Sequence, residues 1–163
     1  MKIRKAVEGD SNTIIELEKK TLYPGISTKE LKQWIEGEGF FESKIFVTEE
    51  NGAIIALASY EVYEVNGNEI VLTLDALAVA ESSQNLGIGE KMLIHSFDLA
   101  KTDFENSGRF KVIGLLIETD VSAVGFYKKV LPIERTQRRD FFDVWNSGEP
   151  MVIFFVKTTA LLL

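Results

Sequence analysis

The 163-residue chain has no cysteine, one histidine and only three prolines. Without a thiol there can be no disulfide, no thiolate zinc site and no cysteine nucleophile. The lone histidine, His95, cannot build a histidine-rich metal centre, and no metal is expected. Positive charge is scarce: 18 Lys and Arg stand against 25 Asp and Glu, for a net charge of −7. Nucleic-acid phosphates require clustered Lys and Arg. The one basic cluster, between Arg135 and Arg139, is interrupted and followed by Asp140, so no nucleic-acid partner is expected. Long apolar runs are missing as well, which argues against a membrane partner. Met1-Lys2-Ile3-Arg4-Lys5 leads into no apolar core of a secretory signal, so the default expectation is the cytoplasm.

What remains is ordinary globular composition, with 45% hydrophobic and 26% charged residues. That length suits one domain, 1–163, able to bury its own core. Lys2 to Val7 alternates as a strand. Asp10-Ser11 is placed to cap a helix carrying Ile14, Leu17 and Thr21, and Tyr23-Pro24-Gly25 ends it. Ser27 with Glu30 is a capping box opening a second helix. Its stripe is Leu31, Trp34 and Ile35, and Gly37 and Gly39 stop it. Strands are expected at Lys44 to Glu49, Ala53 to Val65 and Glu69 to Ala80, joined by Asn51-Gly52 and Asn66-Gly67-Asn68. A helix follows from Gly87 to about Glu105, with Leu93, Phe97, Ala100 and Phe104 toward the sheet. Lys111 to Ile117 reads as a strand buried on both faces. Asp120 to Val130 is the last helix. Ile133 to Phe142 and Pro150 to Lys157 complete the set. Hairpins on one side and βα units on the other predict an α/β chain with mixed α+β character: a single mixed sheet covered by helices.

The most informative stretch runs from Leu77 to Leu93. An apolar strand passes into a glycine-bearing turn, Gln84-Asn85-Leu86-Gly87-Ile88-Gly89-Glu90, and directly into an amphipathic helix. A helix N-terminus leaves N–H groups unpaired and favours negative charge, so the junction is suited to an anion such as a phosphate. Gly87 and Gly89 permit close backbone approach. A P-loop would need Gly-Lys-Ser/Thr, yet Glu90-Lys91 follows Gly89; a dinucleotide fingerprint would need a third glycine where Met92 stands. Another kind of nucleotide-phosphate binder stays open as a minor reading. Asp75 is the only charged residue between Glu69 and Glu81. A carboxylate in so apolar a strand is either a proton acceptor raised by burial or a group paired with a neighbouring strand.

The turn resembles motif A of the GNAT superfamily of N-acetyltransferases, Gln/Arg-x-x-Gly-x-Gly/Ala, with Gln84, Gly87 and Gly89 on pattern. The family's motif B, roughly Asn-x-x-Ala-x-x-hydrophobic-Tyr-x-Lys-x-Gly-Phe, resembles the segment from Asp120 to Pro132. Ala123, Phe126, Tyr127 and Lys129 fall on pattern. Asp120 replaces the Asn, and Leu131-Pro132 replaces Gly-Phe. The resemblance spans essentially residues 1–157. It implies a sheet of about seven strands with helices on both faces, splayed between the fourth and fifth strands. It implies acetyl-CoA as cosubstrate, with no metal. The backbone of Leu77, Ala78 and Val79 would meet pantetheine. The turn from Gln84 through Asn85, Leu86, Gly87, Ile88 and Gly89 to Glu90 would wrap the pyrophosphate. Asp120, Phe126, Tyr127 and Lys129 would contribute from motif B, although an ionised Asp120 cannot donate as an Asn does. Leu86 and Asn85 stand where the family commonly has Lys/Arg and Gly.

The resemblance further implies transfer of an acetyl group to a primary amine by direct attack. Tyr127 would protonate the departing thiolate, and Asp75 would accept the amine's proton. The structural alternative for Tyr127 is a core aromatic with a bonded hydroxyl. The acidic composition favours a cationic acceptor, either a small-molecule amine or a protein amino group. A non-catalytic acyl-CoA binder or sensor of the same fold is the competing reading. Glu118 would border the site or simply be solvated, and His95 reads as a surface residue. Trp34, Phe40 and Phe41 lie where acceptor pockets are built in this family. The apolar Met151 to Val156 strand leaves a homodimer open.

Overall fold

The computed structural model describes residues 1–36, 44–106, 108–133, 135–139 and 151–158. Its elements are β1 (Lys2–Lys5), α1 (Ser11–Thr21), α2 (Thr28–Glu36), β2 (Lys44–Glu50), β3 (Ala53–Asn66), β4 (Glu69–Val79), α3 (Ile88–Glu105), β5 (Lys111–Asp120), α4 (Val124–Val130), β6 (Arg135–Arg139) and β7 (Met151–Lys157). This is the expected order of strands and helices. Hydrogen-bonded neighbours run β1-β2-β3-β4-β5-β7-β6 in a seven-stranded sheet. All pairs described are antiparallel except β4 with β5, which is parallel. The chain divides into two compact units: Met1–Glu61 with Asp75–Asp103, and Val62–Leu74 with Phe104–Leu163.

The first unit is built by period-two alternation on β2 and β3. Ile45, Val47 and Leu57 pack with Ile14, Ile15 and Leu17 of α1, together with Ala76 and Ala78 of β4. On the other side, Phe46 and Phe97 of α3 both lie against Tyr60, at ring separations of 6.3 and 6.0 Å. Helices therefore cover both faces here. The β2–β3 turn is left-handed at both Asn51 (φ 51°) and Gly52 (φ 80°), the conformation a tight hairpin requires. The capping box at α2 is present: Glu30 N–H donates to Ser27 Oγ at 3.2 Å, and Ser27 N–H to Glu30 Oε2 at 3.1 Å.

Asp10 departs from expectation. It makes no side-chain cap on α1. Its carboxylate instead receives the two terminal nitrogens of Arg4, at 2.6 and 3.1 Å, and the Val7 N–H at 2.9 Å. A guanidinium outcompetes a helix N–H for a carboxylate because charge assists both bonds. It holds Asp10 below the usual carboxylate range. Arg4 also donates to Glu49 at 3.0 Å, tying β1 to β2.

In the second unit the parallel β4–β5 ladder runs from Glu69↔Lys111 to Leu74↔Ile117. Glu118, Thr119 and Asp120 continue in register with Ile153, Val152 and Met151 of β7. The parallel register thus ends before β5 does. The last helix also begins later than expected. Residues Val121–Ala123 form a 3-10 turn and the α-helix spans only Val124–Val130. The physical reason is Asp120, whose carboxylate accepts from the N–H groups of Ser122 and Ala123 and so tightens the first turn. Of the expected strand from Ile133 to Phe142, the described part is Arg135–Arg139. The side chain of Trp34, Phe40, Phe41 and the loop from Asn146 to Glu149 lie outside the described residues.

Helix α3 is fastened at depth. The Tyr60 hydroxyl bonds the Leu93 carbonyl at 3.1 Å and Ser96 Oγ at 2.8 Å, and Thr48 Oγ1 lies 3.0 Å from Met92 Sδ. All five residues are fully buried. Tyr60→Phe keeps the ring and removes the bonds. It should lower unfolding free energy by about 1 kcal/mol, read as a lower urea midpoint with an unchanged m-value. An unchanged midpoint would mean that α3 is held by apolar packing alone.

Candidate active site

Two groups of predicted residues fall in the first unit. The first is the junction between β4 and α3. After Val79 the chain makes a 3-10 turn at Glu81–Ser83. Left-handed conformations at Asn85 (φ 61°) and Gly87 (φ 75°) then flank Leu86. Such alternation points successive N–H groups into one concavity. The Gln84 side-chain amide donates to the Val79 carbonyl at 3.1 Å and pins the turn to the strand that precedes it. Lys91 N–H bonds the Gly87 carbonyl at 3.2 Å, so the helical ladder begins there. Among the described residues none accepts from the N–H groups of Asn85 through Glu90.

The 18-residue α3 aims its dipole at the same place. A Cβ built on Gly87 meets nothing within 4 Å, so the space before this backbone is open. Leu86 is 67% exposed at the tip. The junction fits the pyrophosphate of a CoA-type ligand: oriented donors, an open approach and no side-chain obstruction. Ile88 is buried and holds the first helical turn inward, while Glu90 is exposed. Ala78 is buried against α1, whereas Leu77 and Val79 alternate with it as half-buried residues.

The second group surrounds Asp75. Along β3, Leu57, Ser59 and Glu61 share the face that packs on α1, so this layer turns from apolar to polar along the strand. The Ser59 hydroxyl donates to Asp75 at 3.2 Å. Burial, reinforced by the negative charge of Glu61, pushes the Asp75 carboxyl up to about 6 despite that bond. Sequence reasoning missed the neighbour that matters most, Glu18 of α1. It is 1% exposed, and among the described residues no donor reaches its Oε2. Burial, with the charge of Asp75, raises Glu18 to about 7. Tyr23 beyond the helix is raised to about 12 by burial and by the charges of Asp75 and Glu18. The signal was present: Glu18 stands four residues after Ile14, on the apolar stripe of its own helix.

The second unit carries the motif B residues. Tyr127 is 7% exposed. Its ring meets Phe126 edge-on at 5.1 Å and Phe154 at 6.1 Å. Burial, with the nearby Asp120 charge, raises its phenol to about 12. Asp120 is occupied as a cap, and its bonds to Ser122 lead the effects that hold it below the usual carboxylate range. Lys129 is exposed in the last turn of α4, where positive charge suits the helix dipole. Glu118 and His95 are both exposed.

Glu18 generates a stability prediction. The folded carboxyl titrates near 7 against an ordinary 4.5, so between those values the folded state binds more protons than the unfolded one. Stability must fall as pH rises through this window, and the loss is complete above about 7. Glu18→Gln removes it. The variant should melt with the wild type at pH 4 but about 5 °C higher at pH 8, from a cost on the order of 2 kcal/mol. Equal melting at pH 8 would show that the charge is compensated.

Comparison with known proteins gives this geometry a context. The model of the Acetyltransferase (GNAT) family matches residues 11–131. No curated protein matches the chain. Among solved structures, the smu.2055 protein from Streptococcus mutans is 22% identical with a TM-score of 0.68, the match covering 96% of this chain and 99% of that one. A ribosomal-protein-alanine N-acetyltransferase from Brucella melitensis is 16% identical with a TM-score of 0.67, over 96% and 99%. A GNAT family acetyltransferase from Elizabethkingia anophelis, with acetyl-CoA bound, is 21% identical with a TM-score of 0.66, over 96% and 97%. At these identities the structural likeness speaks for the fold. The family match takes in both the Gln84–Glu90 turn and the Tyr127 helix, and the chain belongs to the Acetyltransferase (GNAT) family.

Proposed function

We propose that the chain is a single-domain, cytoplasmic N-acetyltransferase that transfers an acetyl group from acetyl-CoA to a primary amine by direct attack. The observation that carries this reading is the run of N–H groups from Asn85 to Glu90 with no described acceptor, at the head of α3. Those donors would hold the pyrophosphate. The backbone of Leu77 and Val79 would meet the pantetheine amides. Ala78 backs them in the core, and Phe126, Lys129 and Asp120 are further contacts for the CoA arm.

Bound acetyl-CoA supplies an activated thioester. The amine nitrogen attacks its carbonyl carbon, the C–N bond forms and the C–S bond breaks. The proton shed by nitrogen passes to Asp75, a better acceptor near 6 than at its ordinary 3.8. The sulfur departs with its electron pair. Tyr127 near 12 is a weaker acid than a thiol near about 8.5. It therefore steadies the thiolate by donating a hydrogen bond, keeping its own proton, and the thiolate is protonated from solvent. That same raised phenol favours the second reading, a non-catalytic acyl-CoA binder in which Tyr127 is only a core aromatic.

Two variants test the proposal. Gly87→Val places a branched side chain in the open space and disfavours the left-handed backbone. Acetyl-CoA affinity by calorimetry should drop at least tenfold while circular dichroism stays native; wild-type affinity would end the cradle argument. Tyr127→Phe keeps the ring. It should lower kcat by about 10²-fold, in the range of removing one transition-state donor, with acetyl-CoA affinity nearly unchanged. Turnover at the wild-type level would return Tyr127 to the core.

A further inference from the structure

Both outer strands of the sheet are rich in positive charge. β1 reads Lys-Ile-Arg-Lys and β6 reads Arg-Thr-Gln-Arg-Arg. Charge of this kind on an edge discourages a further strand from pairing there. β7 lies between β5 and β6 and has no free edge. The sheet nevertheless carries a third edge. β3 runs for 14 residues and β2 for 7, and their pairing stops at Lys44↔Tyr60. Beyond Tyr60, among the described residues, no strand pairs with β3 on its β2 side.

This overhang, Val62-Tyr63-Glu64-Val65-Asn66, lacks the usual protection. It contains no Lys, Arg, Pro or Gly. Val62 is 42% exposed, Tyr63 52% and Val65 56%. Ile70, Val71 and Leu72 on β4 are buried, so the hairpin that carries the overhang is seated in the sheet. An apolar, unpaired edge of this kind is a template for another strand. Aromatic and β-branched residues pair favourably with their own kind across antiparallel strands, so the overhang is complementary to itself.

We propose that the overhang pairs with its counterpart on a second copy of the chain, antiparallel about a two-fold axis centred on Tyr63. A two-fold perpendicular to the sheet keeps each face on its own side, so one residue must oppose itself. Centring on Glu64 would set two carboxylates opposite each other, which is destabilising. Centring on Val62 would drive Glu64, Val65 and Asn66 of the second copy against Tyr60, Ser59 and Ala58, where β2 already pairs. Centring on Tyr63 avoids both. It sets Tyr63 against Tyr63, Glu64 against Val62 and Val65 against Glu61. Like pairs with like, both edges are consumed, and the association closes as a dimer. So few residues fall short of the roughly 20–30 a side of a stable interface, and the dimer is reversible. The net charge of −7 opposes it, and salt screens that repulsion.

Sedimentation equilibrium of the full chain tests the proposal. Between about 1 μM and about 1 mM, the mass should rise from 18.3 kDa toward twice that value, and association should tighten with added salt. A monomer mass throughout, or association weakened by salt, would overturn it. Tyr63→Lys sets two like charges on the axis. It should raise the dissociation constant at least tenfold, with native circular dichroism and wild-type acetyl-CoA affinity; undiminished association would also overturn it. The chain has no cysteine, so single cysteines report the register. Opposed residues lie about 4.5–5.5 Å apart at Cα, within disulfide reach. Tyr63→Cys should therefore form a covalent dimer with diamide as oxidant. Val65→Cys places its counterpart four residues along the strand, about 13 Å away, and should cross-link at least tenfold more slowly. Equal rates, or no covalent dimer from Tyr63→Cys, would contradict pairing about Tyr63.

Discussion

The candidate site rests on a first turn of α3 that is held open. A helix end with unpaired N–H groups normally satisfies them with a side-chain cap or water. Here Asn85 and Gly87 turn the backbone through left-handed conformations, and among the described residues no side chain bonds the donors. This exposure needs a helix that cannot shift to relieve it. Thr48, Tyr60, Met92, Leu93, Ser96 and Phe97 provide that, all of them at most 2% exposed. The polar bonds among them fix the rotation of α3 as well as its depth. The Gln84 amide bond to Val79 fixes the entering turn from the other side. The surface proposed to bind the anion is therefore made by packing elsewhere in the unit, and its own side chains do little.

A second constraint runs through α1. Its inward stripe begins with Ile14 and Ile15, which belong to an ordinary core, and ends with Glu18, which does not. The change of chemistry along one helical face parallels the change along β3 from Leu57 to Ser59 and Glu61. Two elements thus turn polar at the same end of one layer, where Asp75 enters from β4. An apolar core would have been more stable there. Groups that break a local rule without a stability gain are commonly functional, and the raised carboxyls of Asp75 and Glu18 follow from that placement.

Much of this was legible in the sequence because it rests on local rules. Asn51-Gly52, the Ser27–Glu30 box and the Gly87 turn each name their own backbone conformation. The periodicities of β3 and α3 identify the faces they bury. What was hidden depends on residues distant in sequence. Asp10 sits where a cap belongs, but Arg4 claims it through a β1 geometry that propensity cannot foresee. The helix expected from Asp120 starts later because its carboxylate draws the chain into a 3-10 turn. Tyr127 was recognised by pattern, yet its phenol is raised by burial and by the nearby Asp120 charge, and that alters the chemistry it can perform. Glu18 belongs to no motif. Its position on the stripe was visible, while its burial and the charge of Asp75 were not.

In the proposed function the backbone from Asn85 to Glu90 binds the pyrophosphate of acetyl-CoA. Amide hydrogen exchange resolved by NMR tests it directly, since exchange reports on individual N–H groups. On addition of acetyl-CoA, the amides of residues 85–90 should slow by at least tenfold, while those buried in the middle of α3 change little. Unchanged exchange across residues 85–90, with protection appearing elsewhere on the chain, would mean that the pyrophosphate binds elsewhere.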